Sequence, residues 1–245
     1  MLSIFHITEI MPEFFFLTGL IIFSLMTAGF TMRFNFFRQA VNSSSLRKIG
    51  LVVKRPGLLL PDLSLASVAD LDLVKLKEAH GIKYILFDKD NTLSLCYVDE
   101  LHDSVRDTVD RSRNLFGENA IAILSNSVGS CDDEGYEGAS ATEARMKIPV
   151  IRHAKKKPDC IQDVLVHFTR HQTFVQASEI CMVGDRVLTD VLFGNLHGMF
   201  SVLVKPLSIR TDHPVAVVIR IIERSVLIPI LRLAGVKRDR TFHPS

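Results

Sequence analysis

Two kinds of apolar pattern alternate along the middle of the chain. Short runs that are apolar almost throughout lie at residues 84–87, 120–124, 150–151, 180–183 and 200–204. Stretches with apolar residues three and four apart lie between them, at 103–116, 159–169 and 188–196, and one more at 71–80 precedes the first run, with Gly81 placed to end it. An uninterrupted apolar run predicts a strand covered on both faces, and the 3.6-residue period predicts the helices that cover it. Together they predict an α/β domain of Rossmann-like fold, with a parallel central sheet and helices on both faces. A further helix is expected over 211–233, opened by Thr211-Asp212-His213-Pro214 and bent at Pro229. It is apolar on most sides yet carries Arg220, Arg224 and Arg232. One reading packs it on the sheet, and another lays it on an anionic membrane surface.

The N-terminal pattern is different. Residues 14–30 form an uncharged apolar run at the lower end of the roughly 17–25 residues that span a bilayer. This run reads as a membrane segment or a signal-like stretch. Residues 32–49 are rich in Arg and Ser and free of acid, the composition of a mitochondrial targeting segment. Between Glu13 and Asp62 no acidic residue occurs, while Arg33, Arg38, Arg47, Lys48, Lys54 and Arg55 all fall in the gap. That bias suits targeting or an anionic membrane surface. The expected organisation is a hydrophobic extension over 1–31, a targeting segment over 32–49, a catalytic domain over 50–210, and a C-terminal helix and tail over 211–245. A net charge of +2 gives no reason to expect a nucleic-acid partner. Cys96, Cys131, Cys160 and Cys181 are far apart and form no CxxC pair, so neither a zinc site nor a disulfide framework is expected.

Chemistry enters at the strand ends. Asp88-Lys89-Asp90-Asn91-Thr92 follows the run at 84–87 directly, where an open α/β sheet holds its ligands. Taken alone, such a sequence is also a solvated turn. Its partners come in order: Ser125-Asn126-Ser127 after the next run, Lys155-Lys156-Lys157-Pro158 before a helix, and Gly184-Asp185 through Asp190 after the run at 180–183. Phosphoryl transfer needs this set, because a phosphate monoester repels a carboxylate nucleophile until a cation and a lysine offset the charge and fixed donors hold the phosphoryl group. Asp88 is the expected nucleophile, and Asp88 and Asp185 are the expected Mg²⁺ ligands. Asp90 is expected to offer the metal its backbone carbonyl while its side chain acts as acid and base. Thr92, Ser125 and Asn126 would bind phosphoryl oxygens and Lys157 would neutralise charge. Asp190 would act one shell out, steering Lys157 or a metal-bound water.

These four motifs resemble those of the haloacid dehalogenase (HAD) superfamily of phosphatases. The runs GIKYILFDKDNTL, ILSNSVGS, IPVIRHAKKKP and VGDRVLTDVLFGN, with Arg55-Pro56 to Leu60-Pro61 upstream, are similar to the mitochondrial phosphatidylglycerophosphate phosphatases of fungi and plants over roughly 50–205. The resemblance implies hydrolysis of the phospholipid phosphatidylglycerophosphate to phosphatidylglycerol, a step towards cardiolipin, by a Mg²⁺ enzyme on the matrix side of the mitochondrial inner membrane. The interval from Thr92 to Ser125 leaves little room beyond one crossover helix, and 130–145 reads as a short loop, so no large cap domain is expected. A soluble phosphatase for a phosphoprotein or small phosphomonoester, and a non-catalytic scaffold, are the rival readings.

Overall fold

The computed structural model describes residues 48–170, 174–208, 210, 212 and 214–239. The apolar run at 14–30 and the basic segment up to residue 47 lie outside the described residues, as do Thr211 and His213 of the expected helix start. Five strands form one all-parallel sheet in the order β1-β5-β4-β2-β3: β1 Leu63–Leu65, β2 Tyr84–Phe87, β3 Ile121–Ile123, β4 Ile180–Gly184 and β5 Phe200–Val204. The strand expected at 150–151 is a single bridge, Val150 beside Ile123, because Pro149 removes one ladder donor and the chain turns away after Ile151. The edge strand β1 was not expected. At three residues with alternating exposure, it is too short to stand out from its leucine-rich surroundings.

Eight α-helices are described: α1 Ile49–Lys54, α2 Leu73–Glu78, α3 Asp103–Phe116, α4 Glu137–Met146, α5 Ile161–Thr169, α6 Leu192–Leu196, α7 Pro214–Ile222 and α8 Ile228–Leu233. Helix α4 corrects the expectation of a loop over 130–145. It is held at its start by the Asp133 carboxylate, which accepts the N–H groups of Gly129, Gly138 and Ala139. Strand β2 shows why both faces need helices. Ile85 and Phe87 enter one core with Leu76 of α2, Val105 and Val109 of α3 and Met146 of α4, while Tyr84 and Leu86 enter the other with Val164 and Phe168 of α5. Between Thr92 and Ser125 the only α-helix is α3, as a capless crossover requires.

A third core lies against β5, where Leu227, Ile228 and Leu231 meet Leu58, Leu59, Val187, Val191 and Leu203. The C-terminal helix is therefore docked on the domain. A wide π turn over Glu223–Leu227 separates α7 from α8, with Pro229 just beyond it unable to donate to the preceding turn. Among the described residues no helix is long and apolar enough to cross a membrane.

Candidate active site

The chain crosses from β3 to β4 on the other side of β2, so the strand order reverses between β2 and β4. The crevice at the carboxyl ends of these two strands is where an open α/β sheet binds ligands. Asp88 continues β2 by one residue, its N–H bonded to the Val183 carbonyl at 2.8 Å, and Asp185 continues β4 beyond Gly184. Asn91 then turns the chain through a left-handed conformation (φ 62°) that Asn tolerates, and its own polar groups accept the N–H groups of Leu207 and Ser208.

Lys157 is the hub. Its ammonium donates to Asp88 Oδ1 at 2.7 Å, Asp190 Oδ1 at 2.6 Å and the Leu124 carbonyl at 2.9 Å. Three donors meet three acceptors, so the charge is fixed in position. The two carboxylates also hold its pKa well above the ordinary 10.5, against the burial that lowers it. Its neighbours are placed elsewhere: Lys156 pairs with Asp132, and Lys155 is exposed. Asn126 receives the Lys157 N–H on its side-chain oxygen at 2.9 Å, which ties the two loops together and leaves the amide NH₂ for a ligand. His153 links the same loops, one ring nitrogen against the Ser125 carbonyl and the other against that of Lys155.

Asp88, Asp185 and Asp190 bring one carboxylate oxygen each to within 4.8 Å of one another, all three buried. Burial pushes Asp88 up to about 7, helped by Asp190 and Asp185 and opposed by Lys157, and it raises Asp185 as well. Asp185 Oδ1 is buried with no hydrogen-bond partner. Three crowded carboxylates and one orphaned oxygen fit a cation with oxygen ligands. Asp190 stands in this cluster with Oδ1 on Lys157 and Oδ2 accepting the Arg186 N–H at 3.1 Å. Gly184 makes the arrangement feasible, since a Cβ there would stand 2.3 Å from the Asp190 carboxyl.

Asp90 lies beside this group with a separate set of donors. Ser127 Oγ donates to it at 2.7 Å and Lys89 Nζ at 3.2 Å. Its carboxylate is outside the three-carboxylate cluster. Asp88, Asp90, Ser125, Asn126 and Lys157 all line one cavity. Thr92 does not line it: its side chain is buried, and its hydroxyl has no hydrogen-bond partner. Lys89 and Ser127, which sequence reasoning passed over, join the site through Asp90. The signal for Ser127 was its place two residues beyond Ser125, on which its N–H folds back at 3.2 Å.

The larger omission is the C-terminal helix. Arg220 of α7 lines the cavity and donates through Nε to Asp185 Oδ2 at 2.5 Å, and it also pairs with Asp212. Glu223 accepts the N–H groups of Val187 at 2.9 Å and Leu188 at 3.3 Å, capping the helical start that follows Asp185. Arg224 donates to the Asp185 carbonyl at 2.7 Å and to that of Val204. Three charged residues on one face of the helix thus grip the loop that carries Asp185.

Residues 43–207 match the family described as mitochondrial PGP phosphatase. The chain is 33% identical over 151 residues to the mitochondrial phosphatidylglycerophosphatase of Saccharomyces cerevisiae, covering 61% of this chain and 80% of that one. It is 38% identical over 168 residues to phosphatidylglycerophosphate phosphatase 1, chloroplastic/mitochondrial, of Arabidopsis thaliana, covering 68% of this chain and 46% of that one. With phosphatidylglycerophosphate phosphatase 1, chloroplastic, of Chlamydomonas reinhardtii the identity is 43% over 155 residues, 62% of this chain and 54% of that one. The chain thus spans about half the length of its plant and algal relatives and most of the yeast protein. No solved structure matches it. The matched segment contains every residue that sequence reasoning placed in the site, from Asp88 to Asp190, and the chain belongs to the mitochondrial PGP phosphatase family.

Proposed function

We infer that the chain is a phosphatase that hydrolyses phosphatidylglycerophosphate to phosphatidylglycerol and phosphate, feeding cardiolipin synthesis, with Asp88 as nucleophile. The observation that carries this reading is the Asp88–Lys157–Asp190 bridge at the ends of β2 and β4, inside the segment that matches the family. In the first half-reaction a carboxylate oxygen of Asp88 bonds to phosphorus as the phosphorus–alkoxide bond breaks, and the departing glycerol oxygen takes a proton from Asp90. In the second, water gives a proton to Asp90 and attacks phosphorus, the bond to Asp88 breaks, and phosphate leaves. Ser125 and the Asn126 amide donate to phosphoryl oxygens, and Lys157 offsets the charge of the phosphoryl group beside Asp88.

Asp88 and Asp185, with the backbone carbonyl of Asp90, would hold Mg²⁺, and Asp190 stands beside them on Lys157. When bound, the ion supplies charge neutralisation and orients the phosphoryl oxygen. The open crevice suits a substrate whose acyl chains stay in a bilayer. We place the enzyme at an anionic membrane, the matrix side of the mitochondrial inner membrane, in keeping with its mitochondrial relatives.

The test is phosphate release by the purified chain from phosphatidylglycerophosphate in mixed micelles, beside a soluble phosphomonoester, with Mg²⁺ and with chelator. Strong preference for the lipid, lost with chelator and restored by Mg²⁺, is the expected result. Turnover of the soluble ester alone would leave the aspartyl-phosphate chemistry standing and remove the lipid substrate.

A further inference from the structure

The helix that grips the Asp185 loop has a second face. Val218, Ile221, Val226, Ile230 and Leu233 follow one another around α7, the π turn and α8, and all are exposed, Ile221 at 52% and Leu233 at 88%. An apolar stripe of this kind on a helix that already buries its other side is unusual for a surface in contact with water alone. The stripe starts at the cavity: Ala216 and Arg220, which line the cavity, lie within one helical turn of Val218 and Ile221. Tyr97, another lining residue, is 64% exposed.

Charge identifies the occupant. From Lys205 to Arg238 the sequence has seven basic residues and two acids, Asp212 and Glu223. Both acids are turned inward, Asp212 onto Arg220 and Glu223 onto the Val187 and Leu188 N–H groups. Among the described residues of this stretch, the exposed charges are all cationic, Lys205, Arg210, Arg232 and Lys237, beside the apolar stripe in sequence. Apolar side chains flanked by Lys and Arg, with no exposed carboxylate, match the interface of an anionic bilayer, where acyl carbons meet phosphate head groups.

We propose that the outward face of the C-terminal helix docks on an anionic phospholipid bilayer and holds the cavity mouth at the head-group level. The proposal rests on the lipid-substrate reading and goes beyond it by naming the surface. It also gives docking a route to the chemistry, because the residues behind the stripe, Arg220, Glu223 and Arg224, hold the Asp185 loop.

The experiment uses the full chain carrying Cys131→Ser, since Cys131 is exposed and the other three cysteines are buried. A nitrobenzoxadiazole fluorophore is attached through Ile221→Cys or, as control, through Val166→Cys, an equally exposed apolar position on α5. Vesicles of phosphatidylcholine with phosphatidylglycerol should shift the emission at position 221 to the blue and leave position 166 unchanged, with a weaker response to phosphatidylcholine alone. No shift at 221 overturns the proposal. An emission already blue before vesicles are added also overturns it, and its dependence on protein concentration tells whether a second copy or the chain's own N-terminal segment covers the face.

A second variant, Ile221→Glu with Ile230→Glu, should lower the rate on vesicle-borne phosphatidylglycerophosphate at least about tenfold while the rate on a soluble phosphomonoester holds. Equal rates on vesicles would overturn the proposal. A blue shift at 221 without lipid hydrolysis would support docking while the substrate reading fails, so the two fail separately.

Discussion

Two regions deliver charge to the same cavity by different means. The ends of β2 and β4 place Asp88 and Asp185 through backbone that continues strands hydrogen-bonded into the sheet on both sides. The C-terminal helix places Arg220 through a long side chain, from an element packed on the third core and bonded to the Asp185 loop, to Val204 and to Ser64. The strands fix where the charges are, and the helix fixes how one of them is turned. Asp185 Oδ2 is engaged by Arg220 and Oδ1 is left for a cation. Damage to the two regions should therefore differ in kind, with strand-end changes removing chemistry and helix changes loosening the loop that carries Asp185.

The largest effect is expected at the strand end. Asp88→Asn should cut turnover by at least about 10³-fold, as loss of a nucleophile does, with circular dichroism unchanged. It should not weaken the metal-free fold. With its folded pKa raised from the ordinary 3.8 to about 7, Asp88 takes up a proton on folding between those values. Its contribution to stability is therefore present at low pH and lost as pH rises through about 7. Denaturant titrations without metal should show the wild type losing more stability across this window than the Asn variant, in which Asp185, also raised by burial, still contributes. Equal pH profiles would mean that the carboxylate is not under strain.

Lys157→Met comes next and should affect stability as well as rate. Removal of the hub leaves Asp88 and Asp190 buried without their partner, and breaking a buried pair costs about 3–5 kcal/mol. The Asp88→Asn/Lys157→Met double variant should recover part of that loss, measurable as a coupling energy in a double-mutant cycle. Strict additivity would show that the bridge is incidental.

How much of this was legible in the sequence follows the same division. The strand ends could be read because the apolar run Tyr-Ile-Leu-Phe is followed at once by two acids and, further along, by partners in the order that phosphoryl transfer needs. The parallel sheet, its helices and the gathering of Asp88, Ser125 and Lys157 at one cavity, with Asp185 buried beside Asp88, follow from such runs. Arg220 could not be found this way. A basic residue on an apolar helix is read as facing water or lipid, whereas here the charged stripe of Arg220, Glu223 and Arg224 faces inward and the apolar stripe faces out. The spacing was a signal: charges at i, i+3 and i+4 with apolar residues elsewhere mark a buried polar face. Thr92, chosen for its place in the motif, is not among the cavity's lining residues, and its buried hydroxyl has no hydrogen-bond partner.

The smallest effect is expected at Glu223, and it tests the helix side of the contrast. Its carboxylate satisfies two buried N–H groups that open the helical turn after Asp185, from an element well over thirty residues further along the chain. Glu223→Ala removes the acceptor of the buried Val187 N–H and should cost about 1–3 kcal/mol, whereas Glu223→Gln keeps one oxygen for that N–H and should recover more than half of the loss. Catalysis should respond through the metal. The Ala variant should need more Mg²⁺ for half-maximal rate, with the rate at saturating Mg²⁺ close to wild type, because the loop holding Asp185 is less ordered before the ion binds and is drawn together by it. A lowered rate that Mg²⁺ does not restore would instead mean that the helix acts on the reacting groups directly, and the division between the two regions would dissolve.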